Sequence, residues 1–266
     1  MSNLTHQIPN FSDLKALILD MDGVLWRDNT PIGDLPVLFK KMQSKYQVVL
    51  ATNNSTNSAQ MYVEKLGRFG VQLKAWQIVN SAQASAAYLK ERFPDGGKVY
   101  IVGEAGLHQE LALHGFEHAE EDVLAVVAGM DRHISYTKLD IASRLVRKGI
   151  PFIGTNPDRT FPTPQGLAPG AGAILAAIEA ASYIKPTLIG KPAPEMYRMA
   201  LQRLKRQPEQ ALVVGDRLGT DIAGGQNLGC RTALVLSGVS THQEAEAWQP
   251  APDFIVDDLT HLLELL

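Results

Sequence analysis

The sequence predicts an α/β protein with a doubly wound, largely parallel core sheet into which a second α/β unit is inserted. Short apolar runs alternate with helical patterns along the 266 residues, as in parallel sheets that carry helices on both faces. Polar residues directly follow several of these runs, at the position where ligands bind in such sheets. The core strands are predicted at residues 15–20, 47–52, 211–216, 232–237 and 253–256.

Helical patterns lie between the predicted core strands. Residues 58–69 form one of them and residues 194–204 form another. Pro194 suits the start of the second helix because no N–H partner is needed in the first helical turn. Apolar residues then recur at helical spacing, at Met196, Met199, Ala200 and Leu204.

The middle of the chain has its own alternation of strands and helices. Its predicted strands are residues 98–103, 125–129 and 151–154. Its predicted helices are residues 105–113, 137–148 and 172–181. A second α/β unit of this length has an ordinary domain size. We therefore predict a core of residues 1–80 and 186–266, interrupted by an insertion of residues 81–185.

The composition is that of an ordinary globular protein, with 45% hydrophobic and 20% charged residues. The net charge of −3 gives no reason to expect a nucleic-acid partner. Because Cys230 is the only cysteine, no internal disulfide or cysteine-based zinc site is expected, and a reducing, cytoplasmic location fits. Residues 1–13 lack the pattern of a secretory signal, and no apolar run reaches the about 18 residues of a membrane span.

Asp20 and Asp22 follow the first predicted strand and are separated by one residue. Because strand side chains alternate, both carboxylates start out on the same side. Two carboxylates at so short a distance repel each other and lose hydration, so a cation, a proton or water must compensate their charge. The pair is therefore a candidate metal site with nucleophilic chemistry. The alternative is an ordinary strand end followed by a turn, where Asp and Gly are common.

Three further polar segments follow apolar runs and are predicted to lie at the same edge of the core sheet. The first begins at Thr52, the second is Gly190-Lys191-Pro192 after a predicted core strand at 187–189, and the third runs from Gly215-Asp216 to Asp221. Each segment alone is also typical of a turn, a helix cap or a surface lysine. Four such segments in this order, at four strand ends, favour a common site.

Together the four segments carry the chemistry of phosphoryl transfer, which mostly demands positioning and charge neutralisation. Hard oxygen ligands of the kind that Mg²⁺ prefers are offered by Asp20, Asp22, Asp216 and Asp221. Lys191 offers a compact positive charge for a phosphoryl oxygen or a carboxylate. Thr52 and Asn53 offer a hydroxyl and an amide that can hold an oxygen.

These motifs resemble those of the haloacid dehalogenase superfamily of aspartate-nucleophile phosphatases. The four motifs of that superfamily are DxDG, a strand-end Ser or Thr, a Lys before a helix, and GDxxxxD. They match Asp20-Met21-Asp22-Gly23, Thr52, Lys191 and Gly215-Asp216 through Asp221. The long stretch between Thr52 and Lys191 is similar to the C2 cap of one subgroup. The resemblance implies a Rossmann-like core with a C2-type α/β cap.

Within the superfamily, the chain resembles the 4-nitrophenyl phosphatase branch, which includes ribonucleotide monophosphatases, phosphoglycolate phosphatases and pyridoxal phosphatases. The resemblance rests on the segments 51–55, 154–158, 169–172 and 190–192. It implies a Mg²⁺-dependent hydrolase of small soluble phosphates, such as 4-nitrophenyl phosphate, phosphoglycolate, pyridoxal phosphate, a nucleoside monophosphate or a sugar phosphate. Caps of this kind often pair, so a homodimer through the cap is a further expectation.

The resemblance also implies roles for individual residues. Asp20 would attack phosphorus and become a transient aspartyl phosphate, and Asp22 would protonate the leaving alkoxide and then activate water. Mg²⁺ would be held by Asp20, the Asp22 carbonyl and Asp216, with Asp221 as a further ligand or an orienting residue. The phosphoryl oxygens would be held by Thr52, the Asn53 backbone and Lys191.

Two polar segments follow predicted strands of the insertion and are candidates for substrate contact, namely Asp131-Arg132-His133 and Asn156-Pro157-Asp158-Arg159. Solvated loop tips are the alternative interpretation. His133 alone is more typical of a surface histidine than of an acid–base group. Arg132 and Arg159 could bind a substrate carboxylate or a second phosphate, because arginine forks suit those anions.

Other functions compete with the phosphatase. A haloacid dehalogenase lacks an acid equivalent to Asp22, and a phosphonatase uses an additional cap lysine, so both are disfavoured. A non-hydrolytic protein of the same fold would bind Mg²⁺ or accept a phosphoryl group without turnover. Asp22 argues against that hypothesis, because a long-lived phosphoaspartate does not need an acid–base group. Turnover separates the two hypotheses.

Overall fold

The computed structural model describes residues 13–163 and 165–266. Within these residues the strands are β1 (Ala16–Leu19), β2 (Trp26–Arg27), β3 (Thr30–Pro31), β4 (Gln47–Thr52), β5 (Ile78–Asn80), β6 (Gly97–Val102), β7 (Phe116–His118), β8 (Val126–Ala128), β9 (Phe152–Gly154), β10 (Thr160–Thr163), β11 (Gly166–Pro169), β12 (Thr187–Leu188), β13 (Ala211–Gly215), β14 (Arg231–Val235) and β15 (Phe254–Val256). The helices are α1 (Leu35–Gln43), α2 (Ala59–Arg68), α3 (Ser81–Arg92), α4 (Ala105–Leu113), α5 (Tyr136–Arg147), α6 (Ala171–Ser182), α7 (Glu195–Leu204), α8 (Ala223–Asn227), α9 (His242–Ala247) and α10 (Leu259–Leu265). Among the helices of the described residues, none has both the length and the apolar character that crossing a bilayer requires. Residues 1–12, on which the prediction about a secretory signal rests, lie outside the described part.

Six parallel strands form the first sheet, in the order β15-β14-β13-β1-β4-β5. Numbered along the chain, this is the 3-2-1-4-5-6 arrangement of a doubly wound fold, and the predicted fold class is confirmed. The strand order reverses between β1 and β13, so a ligand site is expected at their carboxyl ends. Leu19 pairs with Val214 there, which places Asp20 beside the start of the Gly215-Asp216 segment.

The first sheet is covered on both faces, and the four residues of β1 show why its sequence is uniformly apolar. Leu17 and Leu19 pack into the hydrophobic cluster on one face, whereas Ala16 and Ile18 pack into the cluster on the other. The second cluster continues through α3 into the other sheet, where Val127 belongs to it. The two sheets are therefore joined by a shared apolar core.

Five parallel strands form the second sheet, in the order β12-β9-β8-β6-β7. This order is also that of a doubly wound fold. The carboxyl end of β9 approaches the loop after β4, since the hydroxyl oxygens of Ser55 and Thr155 lie 3.4 Å apart. The carboxyl edges of the two sheets therefore face one another.

Two predictions about strands are wrong. The sequence predicts a core strand at residues 187–189, but β12 pairs with β9 in the second sheet. The apolar run would suit either sheet, and the packing of Leu188 on the cluster of the second sheet decides between them. The predicted core strands also leave out β5, which is the third strand of the first sheet along the chain and is too short for a clear periodic signal. Lys191 consequently enters the site from the second sheet.

Candidate active site

A cavity of about 410 Å³ lies between the carboxyl edges of the two sheets. The loops after β1, β4 and β13 form one side, and the loops after β8 and β9 form the other. The antiparallel hairpins β2–β3 and β10–β11 add further wall residues, including Arg27 and Phe161. The core residues that the sequence predicts for the site all line this cavity, and they are Asp20, Asp22, Thr52, Asn53, Lys191, Asp216 and Asp221.

Three carboxylates meet at the core side of the cavity. Asp20 follows β1, Asp216 follows β13, and Asp221 lies in a single π-helical turn. One oxygen of each carboxylate lies within 4.8 Å of the others. In the described residues, the side chain of Asp22 stands apart from this cluster, because its Oδ1 accepts a hydrogen bond from Trp26 Nε1 at 2.8 Å. That orientation leaves only the carbonyl of Asp22 as a candidate metal ligand.

Lys191 is buried beside the carboxylates, and its ammonium group is fully bonded. Nζ donates to Asp20 Oδ1 at 2.6 Å, to Asp221 Oδ1 at 2.7 Å and to the Ala51 carbonyl at 2.9 Å. These contacts use all three donors of the ammonium. Burial disfavours the charged form, but Asp20 and Asp221 outweigh it, so the pKa of Lys191 lies well above its usual value. The lysine therefore compensates two carboxylates that would otherwise be buried without a cation.

Asp216 has the properties of a cation ligand. Its Oδ2 accepts a hydrogen bond from the Val239 N–H at 2.8 Å, whereas its Oδ1 is buried without a hydrogen-bond partner. Buried polar atoms in proteins are nearly always paired, so this oxygen is suited to a metal ion. Burial, with the charge of Asp221 as the second cause, raises the pKa of Asp216 to about 7. A hard divalent cation such as Mg²⁺ fits this oxygen and the neighbouring Asp20.

Asp221 is placed to orient other groups. Its Oδ1 accepts from Lys191, and its Oδ2 accepts from the Arg217 N–H at 3.2 Å. Because both oxygens already have partners within the protein, the geometry favours an orienting role for Asp221 over direct ligation of a metal.

Cation binding at this cluster is expected to weaken as the pH falls below about 7. Burial raises the pKa of both Asp20 and Asp216, so protons compete with a cation at a higher pH than they would at solvated carboxyls. The affinity should change by about ten-fold per pH unit for each proton released. Calorimetric titration with Mg²⁺ between about pH 5.5 and 8.5, in two buffers that differ in ionisation enthalpy, measures both the affinity and the protons released. A constant affinity would contradict ligation by these carboxylates.

Two glycines leave room for Asp216. A Cβ at Gly238 would lie 1.9 Å from Asp216 Oδ2, and a Cβ at Gly23, whose φ is +83°, would lie 2.4 Å from the same atom. Neither position accepts a side chain unless the carboxylate moves. At Gly219, by contrast, an added Cβ would meet nothing within 4 Å.

Gly238→Ala is expected to weaken Mg²⁺ binding by about ten-fold or more, or about 1.4 kcal/mol. The added methyl group displaces the Asp216 carboxylate from the position in which it faces Asp20. Gly219→Ala makes the same chemical change in open space and should keep the wild-type affinity. Calorimetric titration of the two variants makes the comparison, and equal affinities would argue against Asp216 as a ligand.

The loop after β4 is fixed by hydrogen bonds to both sides of the cavity. Thr52 is buried, and its Oγ1 accepts from the Asn54 N–H at 3.2 Å. Asn53 Nδ2 donates to Asp158 Oδ2 and to the Lys191 carbonyl, each at 3.1 Å. The Asn53 carbonyl accepts from Asn156 Nδ2 at 2.8 Å. A loop held in this way is suited to positioning the oxygens of a ligand.

The insertion residues predicted to contact substrate fall into two groups. Arg132, Asn156 and Asp158 line the cavity. Within the described part of the chain, the residues that line the cavity do not include Asp131, His133 and Arg159.

Asp131 has a structural function inside the insertion. Its Oδ2 lies 2.6 Å from Lys138 Nζ, and its Oδ1 accepts from the His133 N–H at 2.8 Å. His133 and Arg159 are exposed. The positions of these three predicted residues give no support for substrate contact, because a strand end alone does not show whether a side chain turns into the cavity.

Arg132 is already paired in this structure. Its Nη1 donates to both carboxylate oxygens of Glu104, at 2.9 and 2.8 Å. Its guanidinium carbon lies 5.7 Å from the centre of the Phe161 ring. A substrate anion would therefore compete with Glu104 for this arginine.

Asp158 connects the insertion to the core. Besides its bond from Asn53, its Oδ1 lies 3.9 Å from Arg217 Nη1. Burial raises the pKa of Asp158, although Asn53 and Arg217 oppose the shift. Asp158 therefore links the loop after β9 in the second sheet to the loops of the first sheet, close to the carboxylate cluster.

The sequence alone does not predict the places of Arg217, Phe161 and Trp26 at this site. Arg217 lies inside the segment from Asp216 to Asp221, but the sequence does not show that its side chain is directed toward the cavity. Phe161 lines the cavity from β10, a short strand that no periodic pattern in the sequence predicts. Trp26 ends the apolar run Val24-Leu25-Trp26, which is typical of core residues and gives no sign of a polar contact.

The fold and the site define an α/β protein of two parallel sheets, with a cluster of three carboxylates at the topological switch point of the first sheet. Two family models match the chain, one described as haloacid dehalogenase-like hydrolase at residues 17–117 and one described as HAD-hydrolase-like at residues 188–262. The chain belongs to the haloacid dehalogenase-like hydrolases, as the sequence motifs predict.

Individual relatives resemble the chain over nearly its full length. An acid sugar phosphatase of Staphylococcus aureus is 35% identical over 251 residues, which cover 94% of this chain and 96% of the relative. The structure of a p-nitrophenyl phosphatase from Archaeoglobus fulgidus is 34% identical, with a TM-score of 0.90, over 96% of this chain and 100% of that one. The structure of a glycerol phosphate phosphatase from Mycobacterium tuberculosis in complex with magnesium is 32% identical, with a TM-score of 0.88, over 95% of this chain and 77% of that one.

Proposed function

We propose that this protein is a Mg²⁺-dependent phosphomonoester hydrolase that acts on small soluble phosphates through an aspartyl phosphate on Asp20. The observation that carries the proposal is the meeting of Asp20 and Asp216 at the switch point of the sheet, beside the buried ammonium of Lys191. A nucleophile, a cation site and a fixed positive charge then share one cavity. The named activities of the relatives support the same reaction class.

In the first step, a carboxylate oxygen of Asp20 attacks the phosphorus atom of the ester. A P–O bond to Asp20 forms while the P–O bond to the leaving group breaks, and Asp22 gives its proton to the departing alkoxide. The step yields the free alcohol, an acyl phosphate on Asp20 and an ionised Asp22.

In the second step, the Asp22 carboxylate takes a proton from a water molecule, whose oxygen attacks the phosphorus atom. The P–O bond to Asp20 breaks, and inorganic phosphate leaves. Asp20 is again a carboxylate and Asp22 again carries a proton, so the cycle is closed.

The remaining residues bind and position. Lys191 supplies fixed positive charge, and Thr52 with the Asn53 backbone holds phosphoryl oxygens. Mg²⁺, held by Asp20, Asp216 and the Asp22 carbonyl, would offset the repulsion between the attacking carboxylate and the phosphate dianion. The proposal leaves Asp221 to orient Lys191, with which it shares a 2.7 Å contact.

The insertion at residues 81–185 is proposed to act as the lid that supplies substrate contacts. Arg132 and Asp158 line the cavity from that side and are the candidates for them. Because an apolar cluster runs through α3 into both sheets, we expect the lid to be largely preformed. A cavity of about 410 Å³ suits the small phosphates named above.

Phosphate release from a panel of esters tests the proposed reaction. The panel contains 4-nitrophenyl phosphate, phosphoglycolate, pyridoxal phosphate, nucleoside monophosphates and sugar phosphates, each with Mg²⁺ and with EDTA. We expect Mg²⁺-dependent multiple turnover on at least one ester, and the ranking would identify the substrate class. A stable phosphoenzyme without turnover would instead support the non-hydrolytic phosphoryl acceptor.

Three further properties belong to this proposal. The proposed partner is a small phosphate ester, and the net charge of −3 gives no support to a nucleic-acid partner. The single cysteine supports a cytoplasmic location. A homodimer through the insertion would be recognised by light scattering as twice the mass of the chain, and mutation of the exposed residue Tyr136 offers a first way to disturb it.

A further inference from the structure

Trp26 connects Asp22 to the hydrophobic core. The Trp26 side chain is fully buried, yet its Nε1 donates to Asp22 Oδ1 at 2.8 Å. Asp22 itself is exposed and lines the cavity. The two residues belong to one tight loop, in which the Gly23 N–H donates to the Trp26 carbonyl at 2.8 Å. A rigid group of the core thus holds an otherwise exposed carboxyl.

The indole ring of Trp26 is itself fixed by two contacts from the end of α2 and the residue after it. The centre of the Phe69 ring lies 5.9 Å from the indole, and Lys65 Nζ lies 4.1 Å from its centre. Lys65 also donates to the Asp28 carbonyl at 3.0 Å, which holds it over the ring. A cation over an indole face is attracted by the ring, and linked polar groups polarise one another. Lys65 therefore strengthens the N–H as a donor to Asp22.

We propose that Trp26, supported by Lys65, is a positioning residue that orients Asp22 for proton transfer to the leaving group. This inference rests on the proposed function, in which Asp22 is the acid–base residue. The indole N–H engages Oδ1, so the transferred proton sits on Oδ2. The same bond keeps the carboxyl away from the cluster of Asp20, Asp216 and Asp221, where a cation would compete for it.

Tryptophan suits this position because the indole N–H donates but cannot accept. It binds one carboxyl oxygen without competing for the proton that Asp22 must deliver. A residue that only fills the core would not need a polar atom directed at Asp22. Removal of the N–H should therefore affect proton transfer more than other steps.

Trp26→Phe removes the N–H and keeps an aromatic ring. The test compares kcat/KM for 4-nitrophenyl phosphate, whose leaving group needs no proton, with kcat/KM for an alkyl phosphate such as glycerol 3-phosphate, whose leaving group does. Since kcat/KM covers events up to the first irreversible step, it reports formation of the Asp20 phosphate and excludes its hydrolysis. The loss should be about ten-fold or more greater for the alkyl phosphate, because general acid catalysis is worth about 10²–10⁴.

Matched variants separate positioning from damage to the fold. Trp76→Phe makes the same change at an exposed tryptophan far along the chain and should alter neither value. Lys65→Met keeps the N–H and should give a smaller loss with the same preference for the alkyl phosphate. This second variant retains the test if Trp26→Phe does not fold.

Asp22→Asn distinguishes failure of this inference from failure of the proposed function. It should show the largest preference for 4-nitrophenyl phosphate, and adding Trp26→Phe to it should cause little further loss, because both changes act through one carboxyl. Equal losses on both esters in Trp26→Phe, or additive losses in the double variant, would overturn the positioning role. An absence of leaving-group preference in Asp22→Asn would instead refute the acid role of Asp22.

Discussion

Asp20→Asn should lower the rate of phosphate release by about 10⁴-fold or more, because the variant lacks the nucleophile on which both chemical steps depend. A carboxamide cannot form the acyl phosphate, and it is a weaker ligand than a carboxylate. The side chain keeps its shape, and Lys191 Nζ, now 2.6 Å from Asp20 Oδ1, can still donate to the amide oxygen. The steady-state rate at saturating Mg²⁺ and ester measures the effect, and circular dichroism checks the fold.

The matched control for this variant is Asp95→Asn, which makes the same chemical change at an exposed turn. We expect its rate to equal that of the wild type. If Asp20→Asn retained more than a few per cent of the wild-type rate, water rather than Asp20 would be the attacking group. In that case Mg²⁺ would promote attack by water on the phosphorus atom, and no aspartyl phosphate would form.

Lys191→Met should have the largest effect on stability. Without the ammonium, Asp20 and Asp221 are left together without a compensating charge, and breaking a buried ion pair in this way costs about 3–5 kcal/mol. Burial raises the pKa of Asp20, and its protonation relieves the repulsion, so the loss of stability in EDTA should be greater at about pH 8 than at about pH 6. Saturating Mg²⁺ should restore part of the stability, since it supplies the missing positive charge.

Urea unfolding with and without Mg²⁺ measures this effect, with Lys40→Met as the control. Lys40 is exposed on α1, and its replacement by another helix-forming residue should change the free energy of unfolding by less than about 0.5 kcal/mol. Catalysis should also fall by about 10²-fold or more in Lys191→Met, because fixed positive charge at the phosphoryl group is lost. A variant as stable as the wild type in EDTA would show that Lys191 does not compensate the carboxylates.

The core of the site was predictable because it depends on local sequence and on a general property of parallel sheets. Asp20 follows four apolar residues, and Asp216 follows a buried strand that ends in glycine. The carboxyl ends of parallel strands share one edge of the sheet, so residues far apart in the chain are predicted to lie close together there. The sequence therefore predicts the cluster of Asp20, Asp216 and Asp221 without any knowledge of distances.

Properties that depend on long-range packing could not be predicted. The sequence predicts Lys191 as a site residue but predicts the wrong sheet for the strand before it, because the short run Thr187–Leu188 does not by itself indicate which sheet it joins. Asp131 and Arg132 are neighbours in the sequence, yet one is buried against Lys138 and the other faces the cavity.

Trp26 illustrates a further limit of sequence reasoning. Its position in an apolar stretch indicates a core residue, and it is one. The single polar atom of its ring nevertheless reaches Asp22, and only the folded loop shows that contact.

The most direct test of the central claim is the location of the phosphoryl group on the protein. Asp22→Asn, mixed with 4-nitrophenyl phosphate and Mg²⁺, should form the acyl phosphate but hydrolyse it slowly, so that it can be trapped by acid. Mass spectrometry of the peptides should find one phosphoryl group on the peptide that contains Asp20, and hydroxylamine should remove it. Release of 4-nitrophenol without any phosphorylated peptide, or with the phosphoryl group on another residue, would contradict nucleophilic catalysis by Asp20.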